Sequence, residues 1–316
     1  MGTATQLTGG LVVARRSMGC EFSVSFPAGT RGAIGAGCAA LDEVDRLEDK
    51  LSVYRDDSIV SGLNRNGGGD GVDAEVFHLL SWAARLSRAT GGAFDPASGA
   101  LVRAWGFCQG PKRVPSEAER VTALACSGCA RVRFEPEGHR IRMDAARVQF
   151  NLGGIGKGYA IDRALELVRA RHGITRAFMQ GGQSSLKGIG AAPSEQRGWM
   201  VDIGNPSGAD RPLARVWLRD RALGTSAATN QFFVENGRRY GHVLDPRKGW
   251  PTRGLLSASA VAPTATEADA LSTAFFVLGI EGTRCFCERN PRFGAVLVAP
   301  GDAVLVIGAA DAEVLV

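Results

Sequence analysis

Residues 264–273 constrain the fold of this 316-residue chain more than any other segment. Thr264 precedes Glu267 by three residues, which is the spacing of a capping box at a helix N-terminus. Apolar side chains then recur at helical spacing, at Leu271, Phe275 and Leu278. The pattern predicts a helix over 264–279 that begins sharply and presents one face to a core.

The same predicted helix carries one carboxylate and two hydroxyls on a second face. Asp269, Ser272 and Thr273 are spaced three and four residues apart, so their side chains are neighbours on a helix. A helix N-terminus favours anions, and hard oxygen ligands suit Mg²⁺ held beside a phosphate. A solvated face with ordinary caps explains the same residues, so this segment alone leaves both interpretations open.

A second segment with chemical content is 151–162, where glycines cluster at a predicted strand-to-helix turn. They stand at Gly153, Gly154, Gly156 and Gly158. Glycine lets the backbone approach a ligand, and a helix start offers free N–H groups to a phosphate. The spacing is neither that of a dinucleotide-binding turn nor that of a P-loop, so a Rossmann fold does not follow. A plain tight turn is the alternative.

Short strands and turns alternate with helices along the rest of the chain. Helices are predicted over 33–51, 73–89 and 157–172, with a shorter one capped by Ser116. Strands are predicted near 130–134, 140–143, 147–152, 176–180, 198–204, 214–218, 230–235, 239–244, 255–262, 294–298 and 303–307. Hairpins mixed with helices favour an α+β fold with antiparallel or mixed sheets over a doubly wound one. We expect a single domain over 1–316, with two closely joined lobes as the variant.

Composition narrows the class of protein. Hydrophobic residues make up 45% of the chain, which is enough for a sizeable core. No apolar run approaches the ~18 residues of a membrane span, and no basic segment followed by an apolar one marks a signal peptide. We therefore expect no transmembrane segment, and either a cytoplasmic protein or an exported one whose leader is absent from this sequence.

Charge and cysteine content exclude further classes. The formal charge of +5 is spread without a basic block or an aromatic-basic ladder, so nucleic acid is not an expected partner. Seven cysteines cannot pair completely within one chain. The spacings at 126–129 and 285–287 lack a second zinc knuckle, so reduced thiols without a metal are expected.

Five ordered motifs resemble the ApbE family, the FAD:protein FMN transferases. They lie at 93–96, 101–107, 151–162, 241–249 and 264–273, and the match begins at Met18-Gly19. The resemblance implies the family's α+β fold, FAD as substrate, Mg²⁺ as cofactor, and an acceptor protein with a Thr or Ser that receives FMN. AMP would be released.

The resemblance also implies roles for individual residues. Asp269 and Thr273 would hold Mg²⁺ through their side chains, with Ser272 beside them and the backbone carbonyl of Gly156 as a further ligand. The flavin nucleotide would contact Met18, Tyr54, Ala93, Phe94, Asp95, Gly153, Tyr159 and Leu244. Tyr54 would stack on the isoalloxazine ring, although a loop tyrosine is the simpler alternative. Trp105, in another family motif, is expected in the core.

His242 is the candidate general base among four histidines. The other three lie in helical patterns or in a polar loop, where structural explanations suffice. His242 precedes Asp245-Pro246, and Pro246 is expected to end a strand beside the site. An imidazole can take the hydroxyl proton of a Thr or Ser. A structural histidine that holds the turn through Asp245 is the alternative.

The chain departs from the family pattern near this predicted catalytic edge. The differing positions are Ala227, Thr229, Gly241 and Lys248, whereas Cys20 replaces a threonine in the flavin-contacting element that begins at Met18. Flavin and metal binding are therefore better supported than transfer itself. A metal-dependent FAD pyrophosphatase that yields FMN and AMP, and a non-catalytic FAD-binding protein, remain alternative hypotheses. The identity of the acceptor does not follow from the sequence.

Overall fold

A computed structural model describes residues 2–4, 10–108, 110–144, 147–193, 195–206, 208, 211–227 and 231–315. Thr229 lies outside the described residues. The α-helices are α1 (Ala33–Leu51), α2 (Ile59–Asn66), α3 (Ala74–Ala89), α4 (Gly99–Ala104), α5 (Glu117–Ala125), α6 (Gly156–His172) and α7 (Ala265–Arg289).

The first strands along the chain are β1 (Gly2–Ala4), β2 (Leu11–Ser17), β3 (Cys20–Phe26), β4 (Gly68–Gly69), β5 (Val132–Glu135), β6 (Arg140–Met143), β7 (Ala177–Gly181) and β8 (Ser185–Ile189). Those that follow are β9 (Trp199–Ile203), β10 (Ala214–Leu218), β11 (Arg221–Ala227), β12 (Phe232–Glu235), β13 (Arg238–Gly241), β14 (Leu244–Asp245), β15 (Trp250–Pro251), β16 (Ser257–Ala262), β17 (Gly294–Ala299), β18 (Ala303–Gly308) and β19 (Ala312–Val314).

The chain forms two compact units. Unit 1 comprises 1–48, 155–227 and 254–316, and unit 2 comprises 49–154 and 228–253. The boundary falls near the end of α1 and just before α6. Each unit is therefore built from segments that are distant in the sequence.

Unit 1 is built on two antiparallel sheets. One has eight strands in the order β18-β17-β16-β11-β8-β7-β3-β2, and the other has four in the order β1-β9-β10-β19. Buried side chains from both sheets, including Phe178, Val201 and Val216, form one hydrophobic cluster. Helix α7 packs against β11 and β16 of the larger sheet and against α6. Antiparallel pairing throughout the described strands confirms the α+β class.

Unit 2 contains helices α2 to α5 and three small antiparallel sheets. Their strand orders are β4-β6-β5, β12-β13 and β14-β15. Trp105 is fully buried and packs with Leu101, Tyr240 and Leu244. The indole N–H of Trp105 donates to the carbonyl oxygen of Gly249 at 3.0 Å. Trp105 is therefore a core residue, as predicted.

Most predicted elements are present, but the strand expected at 147–152 is wrong. Its backbone bonds to the start of α4 and to a side chain instead of to a strand, and Arg147 has a φ of 85°. Asn64 bonds both the N–H and the carbonyl of Phe150, at 2.7 and 3.0 Å. The carbonyl of Gln149 accepts from the N–H of Gly99, at 2.8 Å. Backbone groups satisfied in this way need no strand partner.

Two further boundaries differ from prediction. The strand expected over 239–244 is divided into β13 and β14, and His242 lies at the break. Helix α7 extends to Arg289, beyond the expected end, although Gly279 interrupts it with a φ of 70°. The helices α2 and α4 and the strands β1, β2, β3, β4, β8, β11, β15 and β19 were not predicted.

Helix α7 is long and apolar enough in composition to cross a membrane. However, 56% of its most apolar window is buried inside the protein. Phe275 and Phe276 are almost completely buried. The hydrophobicity of α7 is thus accounted for by its place in the core of unit 1.

Candidate functional site

The N-terminus of α7 is fixed by two carboxylates. The Thr264 hydroxyl accepts from the N–H of Glu267 at 3.1 Å, as the sequence predicts, and it donates to the Glu267 carboxylate at 2.9 Å. Glu267 also pairs with Arg292 at 2.7 Å. Asp162 of α6 accepts from the N–H groups of Ala265 and Thr266, at 2.9 and 2.8 Å.

Asp162 is a residue that the sequence reasoning missed. Its carboxylate also accepts from Lys187, at 2.6 Å. It uses N–H groups that a helix leaves without an internal partner, so it ties α6 to the start of α7. The first N–H groups of α7 are consequently occupied by this side chain, and the hydroxyls and carboxylate one turn further along remain as the candidate ligands.

Gly158 allows α6 and α7 to approach closely. A Cβ built on Gly158 would collide with the carbonyl oxygen of Ala265. The N–H of Gly158 donates to the Asp269 carboxylate at 2.7 Å. At this position, the glycine of the predicted turn serves helix packing and holds Asp269 in place.

Asp269 is a buried carboxylate, only 5% exposed. Burial raises the pKa of its carboxyl group, and the positive charge of Lys157 is the largest opposing influence. The Ser185 hydroxyl and the N–H of Gly158 also lower this pKa. A bound cation would favour the charged carboxylate that burial disfavours.

A cluster of hydroxyls adjoins Asp269. The Ser226 hydroxyl lies 2.9 Å from that of Ser272 and 3.3 Å from that of Thr273. The Ser272 hydroxyl donates to the backbone carbonyl of Asp269, at 2.8 Å. The structure therefore connects the Ser272 and Thr273 hydroxyls through Ser226, near the end of β11, one helical turn from Asp269. Sequence spacing could not reveal Ser226, because it lies 46 residues from Ser272.

The other unit 1 candidates lie on α6 and on a hairpin turn. Gly156 is the first residue of α6 and Tyr159 lies one turn along it. Met18 and Gly19 join β2 to β3 with φ values of 49° and 75°, as in a two-residue hairpin turn. The N–H of Met18 donates to Glu48 at 2.8 Å, which anchors the turn to α1.

Cys20 directly follows this turn, and the charges of Lys157 and Asp269 both act on its thiol. Burial raises the pKa of the Cys20 thiol, Lys157 lowers it and Asp269 raises it further. Lys157, which the sequence analysis did not assign, therefore influences both side chains. The sequence signal that could have identified Lys157 was its position between Gly156 and Gly158 in the glycine-rich motif.

Whether unit 1 suits Mg²⁺ depends on the chemistry of the donor atoms near Asp269. No group of three or more His, Cys, Asp or Glu side chains suited to a metal occurs in the described part of the chain. A metal at Asp269 would therefore be held by one carboxylate together with hydroxyl and carbonyl oxygens. These are hard donors, and a small donor set leaves positions for phosphate oxygens and water, as Mg²⁺ prefers. The donor set fits.

In unit 2, the aromatic candidate is accessible. Tyr54 is 64% exposed, and its ring is open to a planar ligand. Partial burial and then the Cys108 thiol raise the pKa of the Tyr54 hydroxyl. The accessible ring is compatible with the predicted stacking role, which stays a prediction.

The predicted adenosine-binding loop of unit 2 is held by its own acid. The Asp95 carboxylate accepts from the Ser87 hydroxyl at 2.9 Å, from the N–H of Ala97 at 2.8 Å and from the N–H of Cys129 at 3.0 Å. Ala93 and Phe94 are buried. Asp95 thus shapes this loop, and any contact of the loop with a ligand would use the remaining backbone and surface.

Two other unit 2 candidates are also held by local packing. Gly153 donates its N–H to the Asn151 side chain at 2.9 Å. Leu244 is buried beside Trp105. Their predicted nucleotide contacts remain predictions.

His242 lies at the break between β13 and β14. Its Nδ1 is 3.1 Å from the carbonyl oxygen of Gln231, and its backbone N–H donates to the same oxygen at 3.0 Å. Asp245 pairs with Arg247, at 2.8 Å. A proton on Nδ1 places the lone pair of the neutral ring on Nε2, which is the arrangement of a base.

All seven cysteines are free thiols. Cys129 is buried, and burial together with Asp95 strongly raises its pKa. A thiol in this state is a poor nucleophile and a poor metal ligand.

The ApbE family matches residues 18–297 of the chain. A protein of Treponema pallidum named FAD:protein FMN transferase is 33% identical over 285 residues, covering 84% of this chain and 78% of the relative. One of the same name from Escherichia coli K12 is 28% identical over 314 residues, covering 95% and 86%.

Solved structures agree with these sequence matches. The ApbE protein of Thermotoga maritima has a TM-score of 0.86 at 30% identity, covering 94% of this chain and 97% of that one. The flavinyl transferase ApbE of Pseudomonas stutzeri, in its apo form, has a TM-score of 0.82 at 27% identity, covering 94% of each chain.

Proposed function

The chain belongs to the ApbE family and is a flavin-transferring enzyme, and we propose that it moves FMN from FAD onto a Thr or Ser hydroxyl of an acceptor protein. The hydroxyl oxygen attacks the FMN-side phosphorus of the pyrophosphate and forms a phosphoester. The bond from that phosphorus to the bridging oxygen breaks, and AMP leaves. The transfer consumes no oxidant or reductant.

One observation carries the proposal for unit 1: the buried carboxylate of Asp269 is bonded to α6 and lies one helical turn from a cluster of hydroxyls. Asp269 and Thr273, with the Gly156 carbonyl, would hold Mg²⁺, which neutralises phosphate charge when it is bound. Ser226 and Ser272 orient the hydroxyl cluster through their mutual hydrogen bond. Lys157 supplies a further positive charge for an anionic substrate.

Unit 2 supports the proton-transfer part of the proposal. With Nδ1 bonded to the Gln231 carbonyl, His242 would receive the hydroxyl proton at Nε2. Tyr54 would stack on the flavin ring through its exposed face. Positioning and electrostatics would supply most of the rate enhancement, as in phosphoryl transfer generally.

The test is to incubate the protein with FAD and Mg²⁺, with and without a carrier protein bearing a Ser-Gly-Ala-Thr segment. Intact-mass spectrometry and nucleotide analysis follow the products. We expect an FMN-sized mass gain on the carrier, one AMP for each FMN, and no product in EDTA. FMN and AMP without a mass gain would contradict transfer and establish a pyrophosphatase. Unchanged FAD with tight binding would establish a binding protein.

A further inference from the structure

Strand β8 begins with a buried polar side chain, that of Ser185. The residue is 0% exposed, and its hydroxyl makes no hydrogen bond within the part of the chain that the structure describes. Burial without a partner costs free energy, because the bonds that the hydroxyl makes to water in the unfolded chain are not replaced. A hydroxyl kept in this state is a candidate for a functional role.

The sheet register places Ser185 on the face that supports α7. Ser185 is opposite Gly224 of β11, and residues directly opposite each other in antiparallel strands share a face. A Cβ built on Gly224 would collide with the backbone of Ala268 and Asp269. The beginning of α7 therefore rests on this face over Gly224, and Ser185 lies beside that contact on the next strand.

Ser226 identifies the same face independently. It follows Gly224 by two residues on β11, and alternate residues of a strand point to the same side. Its hydroxyl lies 2.9 Å from that of Ser272 in α7. One face of the sheet thus presents Ser226 to the turn of α7 that carries Ser272, and Ser185 to the preceding turn, which carries Asp269.

The surroundings of Ser185 leave Asp269 as its acceptor. The residues opposite Ser185 on both neighbouring strands are glycines, Gly181 and Gly224, which have no side chain to bond to it. The Ser185 hydroxyl lowers the pKa of the Asp269 carboxyl, as a donor to a carboxylate does. Asp269 already accepts from the N–H of Gly158 at 2.7 Å, and a carboxylate can accept several further hydrogen bonds.

We propose that Ser185 is a positioning residue of the metal site: its hydroxyl donates to the charged carboxylate of Asp269 and holds that side chain in the orientation that binds Mg²⁺. This inference rests on the proposed function, because Asp269 is the carboxylate of the proposed metal site. A carboxylate that binds a cation is charged, and a charged acceptor makes the stronger hydrogen bond. Metal binding therefore satisfies the buried hydroxyl, and the hydroxyl in turn strengthens metal binding.

The test compares Ser185→Ala with Ser257→Ala as a matched control. Ser257 lies on β16 of the same sheet, is also buried, and its hydroxyl likewise makes no hydrogen bond within the described residues. It lies on the other face of the sheet, because it is opposite Ala227, which directly follows Ser226. Both variants lose a buried hydroxyl without a partner, but only Ser185→Ala loses one on the face that supports α7.

Isothermal titration with Mg²⁺ and thermal unfolding in EDTA measure the two effects. Ser185→Ala is expected to bind Mg²⁺ about tenfold or more weakly, the usual loss when a residue that hydrogen-bonds to a metal ligand is removed. Ser257→Ala should bind Mg²⁺ as the wild type does. Neither variant should have a lower Tm in EDTA, since each removes an unsatisfied hydroxyl. Because Ser185 acts through metal binding, excess Mg²⁺ should restore FMN transfer by Ser185→Ala, but not by Asp269→Asn.

The readouts separate this inference from the function on which it rests. Wild-type Mg²⁺ affinity in Ser185→Ala, or an equal loss of affinity in Ser257→Ala, would overturn the positioning role, and FMN transfer by the wild type would leave the transferase intact. Transfer by Ser185→Ala that excess Mg²⁺ fails to restore would overturn the positioning role as well. Weaker Mg²⁺ binding in Ser185→Ala alone, with no transfer by the wild type, would refute the transferase and leave the positioning role.

Discussion

The candidate residues of unit 1 and those of unit 2 are held in opposite ways. Asp269 and Ser272 are buried and fixed by hydrogen bonds from α6 and β11. Tyr54 is exposed, and His242 bonds to the Gln231 carbonyl through its ring and through its backbone N–H. A metal site requires ligands preorganised at close range, whereas a surface that receives a protein must stay open.

This difference predicts that substitutions in unit 1 affect catalysis and stability together, whereas those in unit 2 affect catalysis alone. Variants in each unit test whether the two units can be separated in this way.

Asp269→Asn should lower FMN transfer by more than about a hundredfold, because the only carboxylate of the proposed metal site is lost. Isothermal titration should show that Mg²⁺ binding is lost with it. Full activity of Asp269→Asn with unchanged Mg²⁺ affinity would show that Asp269 is not a metal ligand.

Asp269 also predicts a pH dependence of stability without metal. Because burial raises the folded-state pKa of Asp269 above the unfolded value of about 3.9, its favourable contribution is present below about pH 4 and is lost as the pH rises through the folded pKa. In EDTA at pH 7, Asp269→Asn should therefore have a higher Tm than the wild type. Mg²⁺ should raise the Tm of the wild type only. Equal Tm values in EDTA would contradict this account.

His242→Ala should lower transfer by about a hundredfold, because a general base typically contributes that much or more. The Tm and the affinity for Mg²⁺ should stay unchanged, in contrast to Asp269→Asn. His242→Gln keeps a side chain that can bond to the Gln231 carbonyl, so it separates loss of the base from loss of the turn. Activity retained in both variants would leave the imidazole with no catalytic role.

Gly158→Ala should destabilise the protein by about 2 kcal/mol, because the added methyl group overpacks the contact of α6 with Ala265. Chemical denaturation measures this change. Gly35→Ala in α1 is the control, since a Cβ there meets open space and should stabilise the helix by about 0.5 kcal/mol. A neutral Gly158→Ala would contradict close helix packing as the reason for this glycine.

Tyr54→Ala should weaken FAD binding by about tenfold, within the range measured for loss of an aromatic stacking partner. Tyr54→Phe should bind FAD nearly as well as the wild type, because the ring is retained. Fluorescence titration with FAD distinguishes the two. Equal affinity in all three proteins would favour the simpler interpretation of Tyr54 as a loop tyrosine.

The sequence was most informative about features of the structure that depend on residues close together along the chain. The cap at Thr264, the helix over 33–51 and the shared face of Asp269, Ser272 and Thr273 depend on spacings of three and four residues. The strand predicted at 147–152 failed because hydrogen bonding to Asn64 replaced strand pairing, and no local pattern encodes that contact.

Local spacing and motif order were sufficient to predict the α+β class, the family, the start of α7 and the polar side chains on the Asp269 face. The folded structure was needed to show that Asp162 binds the start of α7, that Ser226 joins the hydroxyl cluster and that Asp95 holds its own loop. These contacts connect residues up to 104 positions apart in the sequence. Chain folding sets such distances, and a single sequence carries no periodic signal of them.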